Sequence, residues 1–362
     1  MLFVTGQHFA GSARKVDLHF LADSLNAQGD RTDFLSLRLS QLSRFSHDGR
    51  WTYARSRTVN RWVRLDDLRD EFIWVNLVHP FATRSAALNR LTGLIFRHYA
   101  ALLPRAVRDR LPAYTHILVE SGIATLLTPL LRRLAPQAKL IYHAADQFET
   151  IGAHPCFRDA WEKSARQFDL IHILAETQRA DMPEGVPVLF LPHGVAAEVF
   201  DGAVDTPYTA GNNAVSVGDM LFDAEVLKTL AHGNPDWTFH LFGKKSRLDE
   251  TLPNVVTHGE VPFTSVASYI RHADIGIAPY RNAPGADYLS QSSLKMIQYT
   301  YCRLPIVAPI FAAAGRPHVL AYEPDNQASI LAAFNAAKIY DRLSIDTSQA
   351  VTWQEMAVRL FV

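Results

Sequence analysis

The chain has 362 residues, of which 48% are hydrophobic and 20% charged, a balance typical of a soluble globular protein. No apolar run approaches the roughly 18 residues needed to cross a bilayer, and the first residues lack a basic leader, so we expect neither a transmembrane helix nor a secretion signal. The two cysteines, Cys156 and Cys302, are far apart without metal-ligand spacing, which favours core thiols in a reducing compartment.

The formal net charge is zero, but the charge is unevenly distributed. Residues 1–195 hold 24 Lys/Arg and 19 Asp/Glu, whereas the remaining residues hold 12 and 17. A basic front half predicts that this part of the chain faces something anionic. Nucleic acid has little support, because the sequence has no zinc finger, RNP-like motif or dense Lys/Arg stripe. A membrane surface or a phosphorylated lipid is at least as good a partner.

Short apolar runs, separated by helical stretches, recur at strand spacing along the whole chain. Strands are predicted at 2–6, 32–37, 72–79, 116–122, 140–146, 170–175, 188–193, 214–220, 238–243, 255–260, 275–280 and 305–309. The runs are continuous rather than alternating, as expected when helices cover both faces of a parallel sheet. The pattern predicts an α/β protein with two facing, doubly wound, Rossmann-like domains and a cleft between them.

Composition also suggests where the domains begin and end. A stretch rich in Gly, Asp, Pro and Asn, 201–213, is the best linker. We therefore expect an N-terminal domain over 1–200 and a C-terminal domain over 214–345. Residues 346–362 are predicted to include a terminal helix that can pack back on the N-terminal domain.

Two basic elements of the front half could bind an anionic partner. Arg14 and Lys15 lead into a helix that carries His19, close to the end of the first strand. Residues 90–110 read as one helix with apolar residues at spacings of three and four and arginines beside them. Membrane-surface helices have this pattern, although a core-packed helix with solvated arginines is favoured about two to one from the segment alone.

Polar residues follow several front-half strands, where doubly wound sheets bind their ligands. Asp146 ends one strand and could act as a general base, with a helix N-cap as an equally good reading. Glu120 is similar, with a structural role somewhat favoured. His193 follows the last strand and could contact a phosphate or orient a base, or be an ordinary loop histidine.

The back half has its own set of polar strand ends. Asp223 lies just past a strand that closes with Gly218, which lets a ligand approach the backbone closely. Glu260 could accept hydrogen bonds from a nucleoside, and Tyr280 could pack or hydrogen-bond at the same edge. Each residue alone is a weak signal, but together they form a moderately specific set.

The segment 292–299 predicts the start of a helix suited to a diphosphate. Ser292 or Ser293 can cap the helix, and Lys295 adds a movable positive charge in its first turn. Gln298 lies one turn further, on the same face as Leu294 and Lys295, within reach of a ribose. An ordinary capped helix is the alternative reading.

Some motifs are absent from the sequence. There is no G-x-x-x-x-G-K-[ST] and no G-x-G-x-x-G, so ATP hydrolysis and dinucleotide redox chemistry lose support. There is also no D-x-D triplet to hold a divalent ion on a sugar nucleotide. A departing diphosphate would then be stabilised by the helix dipole, Lys295 and hydroxyl groups.

Taken together, these residues resemble the two-domain GT-B glycosyltransferases, and most closely the GumK-type glucuronosyltransferases of xanthan biosynthesis. The resemblance extends from the first strand to about Pro309. The matching segments are Arg14-Lys15 with His19-Phe20, Val78-His79-Pro80-Phe81, Glu120-Ser121-Gly122-Ile123-Ala124, Ala145-Asp146, His193-Gly194-Val195, Val217-Gly218, Met220-Leu221-Phe222-Asp223, Gly259-Glu260, Ile277-Ala278-Pro279-Tyr280 and Ser292-Ser293-Leu294-Lys295.

The resemblance implies inverting, metal-independent transfer of glucuronic acid from UDP-glucuronate to a polyprenyl-diphosphate-linked oligosaccharide, in bacterial exopolysaccharide synthesis. It implies a peripheral location on the cytoplasmic face of the bacterial inner membrane, contact with an anionic membrane surface, and no cofactor, metal or nucleic acid. By position, Asp146 would be the catalytic base. The UDP-sugar would be bound by Met220, Asp223, Glu260, Tyr280, Ser292, Ser293, Leu294, Lys295 and Gln298. Acceptor-side or supporting residues would be Arg14, Lys15, His19, Glu120 and His193.

Two other functions fit the same fold. A UDP-sugar 2-epimerase would need carboxylates around the sugar but no lipid acceptor, and the basic front half speaks against it. A catalytically silent UDP-sugar-binding protein would have no need of Asp146 or Lys295. Glucuronate also requires a cation at its carboxylate, and the sequence does not single one out.

Overall fold

The computed structural model describes residues 1–6, 9–10, 15–45, 49–148, 151–284, 286–348 and 350–361, which form two compact units. The first unit comprises Met1–Leu191 together with the end of the chain from Ala357 onward, and the second comprises Pro192–Met356. The division falls between Leu191 and Pro192, before the predicted linker at 201–213.

The first unit is built on a sheet of eight strands in the order β3-β4-β2-β1-β5-β6-β7-β8. The strands are β1 Leu2–Thr5, β2 Asp33–Ser40, β3 Trp62–Asp66, β4 Arg69–Asn76, β5 His116–Glu120, β6 Lys139–Ala144, β7 Leu170–Ile173 and β8 Val188–Phe190. Neighbouring strands are parallel except for the edge pair β3 and β4, which is antiparallel. The strand order reverses between β1 and β5, where such sheets form their binding crevice.

Helices cover both faces of this sheet. They are α1 Asp17–Ala27, α2 Gly49–Arg55, α3 Ala86–Phe96, α4 Arg105–Arg108, α5 Thr128–Leu134 and α6 Pro155–Ser164. Leu2, Phe3 and Val4 are consecutive in β1 and all fully buried, as expected for a strand packed on both sides.

The prediction of one continuous helix over 90–110 is wrong. The segment forms α3, then a 3₁₀ turn at Tyr99–Leu102, then the short α4. Pro104 immediately precedes α4, and its missing N–H and fixed ring prevent a helix from running through it. None of the described helices is both long and apolar enough to span a membrane.

The second unit is built on a six-stranded parallel sheet in the order β11-β10-β9-β12-β13-β14. The strands are β9 Asn213–Val217, β10 Thr238–Phe242, β11 Val255–Gly259, β12 Ile275–Ile277, β13 Ile306–Pro309 and β14 Val319–Tyr322. The helices are α7 Ala197–Asp201, α8 Ala224–Gly233, α9 Phe263–His272, α10 Leu289–Ser292, α11 Leu294–Tyr301, α12 Gln327–Lys338 and α13 Trp353–Phe361. The strand order reverses between β9 and β12.

The last turn of α13 belongs to the first unit. Phe361 lies with its ring centroid 6.1 Å from that of Phe3 and 5.7 Å from that of His116. The terminal helix predicted from the sequence is therefore present, and its end packs against β1 and β5.

The predicted doubly wound α/β architecture is confirmed, and every predicted strand is present with bounds that differ by a few residues. Most strands end earlier than predicted, whereas β2 extends to Ser40 and β4 begins at Arg69. Two strands were missed. β3 is a partly exposed hairpin strand in which Arg64 and Asp66 interrupt the apolar residues, and β14 is a four-residue edge strand.

Candidate functional site

Two glycines lie at the carboxyl edge of the second sheet. Gly218 and Gly243 follow β9 and β10 and have φ values of +90° and +138°, a region that disfavours other residues. Their N–H groups extend the sheet by one hydrogen bond each, to Phe242 O and Gly259 O, both at 2.8 Å. A Cβ on Gly243 would lie 2.2 Å from Asp219 Oδ1. The sequence analysis identified Gly218 but not the role of Gly243. A glycine directly after each of two neighbouring strands was the signal that could have identified Gly243.

A helix N-terminus lies at the same edge. Ser293 is the N-cap of α11, since its side chain accepts a hydrogen bond from Met296 N at 3.3 Å. Tyr280, which follows β12, places its hydroxyl 2.5 Å from Ser293 Oγ. Ser292 is the last residue of α10, and its buried Oγ has no hydrogen-bond partner among the described residues. Of the two predicted caps, Ser293 is the one that caps the helix.

Lys295 places its amino group at the same edge of the sheet. Its stem is partly exposed, but Nζ is buried and has no hydrogen-bond partner in the described part of the chain. Nζ lies 4.7 Å from the centroid of the Tyr280 ring and would be 4.0 Å from a Cβ on Gly218. Burial lowers the pKa of Lys295 to about 7, and the Asp219 carboxylate opposes this only in part. A buried, unpaired ammonium beside a helix N-terminus is an arrangement that an anion would stabilise.

The loop after β9 is attached to the residues after β12. Asp223 N donates to Pro279 O at 2.8 Å, and Phe222 forms an isolated antiparallel bridge with Tyr280. Met220 is 43% exposed, and its sulfur lies 3.8 Å from the Tyr288 hydroxyl. Met220 therefore offers an exposed apolar surface next to Tyr288.

The other predicted donor residues have different surroundings. The Asp223 carboxylate caps α8 by accepting from Glu225 N at 3.0 Å, so its described contact is structural. Leu294 is the first residue of α11 and is partly buried, and Gln298 is buried one turn later. Glu260 is exposed just after β11, two strands away from β9. The structure thus brings Tyr280, Ser293 and Lys295 together, whereas the described contact of Met220 is with Tyr288.

In the first unit, Asp146 lies two residues beyond β6. Its backbone N donates to Ser121 Oγ at 3.1 Å, which links the ends of β5 and β6. Asp146 is partly exposed and lines a small, solvent-open pocket. Arg158, Trp161 and Gln178 also line this pocket. A partly solvated carboxylate in a pocket can meet a substrate hydroxyl, as a general base must.

Glu120 is a buried structural carboxylate. It lies at the reversal of strand order, where its Oε2 accepts from Thr5 Oγ1 at 2.5 Å and from Gly6 N at 3.2 Å. Burial, together with the nearby carboxylates Asp17 and Asp146, raises the pKa of Glu120 to about 8. Glu120 is therefore mostly protonated at neutral pH, and this keeps a second negative charge away from Asp146.

A buried histidine chain, missed from the sequence, holds α1 against the sheet. His143 Nδ1 lies 2.8 Å from His172 Nδ1, and His143 Nε2 lies 2.8 Å from Asp17 Oδ2. His172 Nε2 in turn lies 2.9 Å from Leu191 O. All three contacts lie within hydrogen-bonding distance, so the chain joins the start of α1 to β6, to β7 and to the backbone just after β8. The signal was a histidine in the same register position of β6 and β7.

The described acceptor-side residues have different local surroundings. Lys15 is exposed and pairs with Asp23 at 2.5 Å, while Arg14 lies outside the described residues. His19 is buried in the first turn of α1, where its Nδ1 accepts from Val16 N at 3.2 Å. His193 is buried in the second unit, with its ring centroid 6.0 Å from that of Trp353.

The helix α3 exposes an apolar surface flanked by arginines. Leu91 and Ile95, one turn apart, are 61% and 66% exposed. Leu88 and Leu94 on the same helix are exposed as well. The exposed basic neighbours are Arg84, Arg90, Arg97 and Arg105. The core-packed alternative is therefore wrong for most of the apolar residues of α3.

Comparison with known proteins gives two levels of similarity. Residues 3–174 match the family model described as glucuronosyltransferase GumK, N-terminal domain. Over 358 residues the chain is 32% identical to the UDP-glucuronate:glycolipid 2-beta-glucuronosyltransferase of Xanthomonas campestris pv. campestris, covering 99% of this chain and 88% of that protein.

Solved structures support the fold alone. The α,α-trehalose-phosphate synthase (UDP-forming) from Burkholderia vietnamiensis aligns with a TM-score of 0.64 at 12% identity, over 99% of this chain and 97% of its own. The apo structure of OtsA aligns with a TM-score of 0.63 at 13% identity, over 99% and 95%. These likenesses confirm the predicted GT-B fold.

Proposed function

The chain belongs to the GumK family of glucuronosyltransferases, and we propose that it transfers glucuronic acid from UDP-glucuronate to a glycolipid. The Xanthomonas relative is named for that donor and that class of acceptor. The observation that carries the proposal for this chain is the buried Lys295 ammonium, which has no described partner at the capped N-terminus of α11. An unpaired positive charge at that position favours the binding of a diphosphate.

The donor site would use the residues around Tyr280. The N–H groups at the start of α11, the Ser292 hydroxyl and the Lys295 ammonium would bind the diphosphate of UDP. Met220 would pack against the nucleoside, with Glu260 and Gln298 accepting or donating hydrogen bonds to it. Leu294 and Asp223 would support this site through α11 and the start of α8. Fixed dipoles and a buried cation stabilise the charge that develops on the leaving phosphate, so the reaction needs no metal ion.

Asp146 would serve as the general base. Its carboxylate would take the proton from the acceptor hydroxyl while the hydroxyl oxygen attacks the anomeric carbon. The bond from that carbon to the phosphate oxygen breaks, and UDP keeps the electron pair. Direct displacement inverts the anomeric centre, and the β product named for the Xanthomonas relative is what inversion of an α-linked UDP-sugar gives.

The acceptor is proposed to be a polyprenyl-diphosphate-linked oligosaccharide at a bacterial membrane, as in exopolysaccharide synthesis. The exposed Leu91 and Ile95 side chains and the arginines around them support peripheral binding to an anionic lipid surface. Lys15, with Arg14, His19, Glu120 and His193, would support the acceptor side.

A donor screen tests this function. The protein is incubated with each UDP-sugar and a detergent extract of polyprenyl-linked oligosaccharides, with a chelator present. Lipid-linked product from UDP-glucuronate alone is the expected result. Product from a neutral UDP-sugar only would refute the donor assignment. A chemically altered UDP-sugar without transfer would instead favour an epimerase.

A further inference from the structure

Arg316 lies in the loop between β13 and β14, at the side of helix α11. Its Nε donates to Ala313 O at 3.3 Å, and its Nη2 donates to Ala312 O at 3.4 Å. Nη2 also lies 4.0 Å from Met296 Sδ, in the first turn of α11. These partners are uncharged, and no described carboxylate forms a salt bridge with this partly buried guanidinium.

Arg316 and Lys295 approach the same helix turn. Lys295, in the first turn of α11, places its Nζ over the Tyr280 ring, and Arg316 Nη2 lies close to Met296 Sδ in that same turn. Burial lowers the pKa of both cations. Two cations, neither in a salt bridge with a described carboxylate, therefore lie at the first turn of α11.

UDP-glucuronate has a second anionic group, the carboxylate of its sugar. The helix N-terminus and Lys295 already match the diphosphate. A planar guanidinium fork matches a carboxylate through two parallel hydrogen bonds, which an ammonium cannot do. Resting on the proposed function, we propose that Arg316 binds the carboxylate of the donor sugar and sets the preference for a uronic acid over a neutral sugar.

Other cations at this edge of the sheet are less suited to the role. Arg281 directly follows Tyr280, and Lys244 and Lys245 follow Gly243, but all three side chains are exposed. Water screens exposed charges and reduces their discrimination between ligands. Arg281 is therefore the natural control for a general effect of positive charge.

The test compares the affinities of UDP-glucuronate, UDP-glucose and UDP by isothermal titration calorimetry. Replacing Arg316 with Gln should weaken UDP-glucuronate binding by about 30- to 100-fold, the loss of a charge-assisted hydrogen-bonded pair. Affinities for UDP-glucose and UDP should change by less than about threefold. Arg281→Gln should retain the preference for UDP-glucuronate. Arg342→Gln is a structural control and should leave all three affinities unchanged, because the described hydrogen bonds of Arg342 go to the main-chain carbonyls of Arg303 and Cys302.

Three outcomes would overturn the inference. An unchanged ratio of the UDP-glucuronate and UDP-glucose affinities in Arg316→Gln would show that Arg316 does not bind the sugar carboxylate. An equal loss for UDP would assign Arg316 to the diphosphate, and loss of preference in Arg281→Gln alone would assign the role to Arg281. If Arg316→Gln does not fold, Arg316→Lys, which keeps the charge but loses the fork, should show an intermediate ratio. Failure of the proposed function is distinguishable, because wild-type protein would then show no preference for UDP-glucuronate.

Discussion

The hydroxyl of Tyr280 lies 2.5 Å from the Oγ of Ser293, the residue that caps helix α11. This bond joins the end of β12 to the helix N-terminus that we propose binds the donor diphosphate. Because the bond is buried, it fixes the helix start relative to the sheet edge before any ligand arrives.

Removing the Tyr280 hydroxyl should loosen this helix start. We expect Tyr280→Phe to lower the free energy of unfolding by about 1 kcal/mol and UDP affinity by about three- to tenfold. Urea denaturation and calorimetric titration with UDP measure the two effects. Tyr301→Phe is the control, because it removes a hydrogen bond to Asp201 from the other end of α11. An equal loss of UDP affinity in both variants would contradict a specific role for the Tyr280 bond.

The low pKa of Lys295 predicts pH-dependent binding of UDP. In the free protein the ammonium, with a pKa of about 7, loses its proton well below its ordinary value of 10.5. A bound diphosphate raises the pKa of this group, so binding near pH 8.5 should take up close to one proton, and UDP affinity should fall as pH rises above about 7. Calorimetry in buffers of different ionisation enthalpy counts that proton.

Replacing Lys295 should separate binding from stability. In Lys295→Met we expect no proton uptake and UDP affinity lower by about 30- to 100-fold. The free energy of unfolding should rise at pH 7, because a buried unpaired ammonium is removed. Lys338→Met, which removes a lysine hydrogen-bonded to Asn234, is the control and should leave UDP binding intact. Wild-type binding without proton uptake would refute the account.

The raised pKa of Glu120 predicts that the stability of the protein depends on pH. Its pKa is raised from 4.5 to about 8, so between these values the folded state binds more protons than the unfolded state. The free energy of unfolding should therefore fall as pH rises through this window. In Glu120→Gln the fall should be smaller, as urea denaturation at several pH values would show. Glu184→Gln, at an exposed carboxylate, should keep the wild-type slope, and the same slope in Glu120→Gln would contradict the assignment.

The exposed face of α3 predicts lipid binding. We expect the double variant Leu91→Ser, Ile95→Ser to bind anionic phospholipid vesicles about tenfold more weakly, since apolar side chains that insert into the interface are lost. Stability should change by less than about 0.5 kcal/mol, because both side chains are exposed. Ile339→Ser, at a side chain 87% exposed on the second unit, is the control in the same sedimentation assay. Equal vesicle binding by all three proteins would contradict the proposal.

The sequence predicted the parts of the site that follow from topology. Parallel strands end at one edge of a sheet, so apolar runs followed by Asp146 or Tyr280 were enough to place those residues at the sheet edges. Ser293 and Lys295 could be placed because a capped helix start has a local signature.

Contacts between distant side chains could not be read in this way. The pairing of His143 with Asp17 depends on where α1 begins relative to β6, and the Glu120 pKa depends on its burial among other carboxylates. Arg316 contacts α11 from the loop that precedes β14, and β14 itself was not predicted from the sequence. Such relationships come from packing rather than from sequence spacing.

The central claim is that Asp146 removes the proton from the acceptor hydroxyl during transfer from UDP-glucuronate. The most direct test is the rate of lipid-linked product formation by Asp146→Asn, measured together with its affinity for UDP. We expect the rate to fall by about 10²- to 10⁴-fold, the usual contribution of a general base, with UDP affinity unchanged. Wild-type turnover in Asp146→Asn would contradict the account.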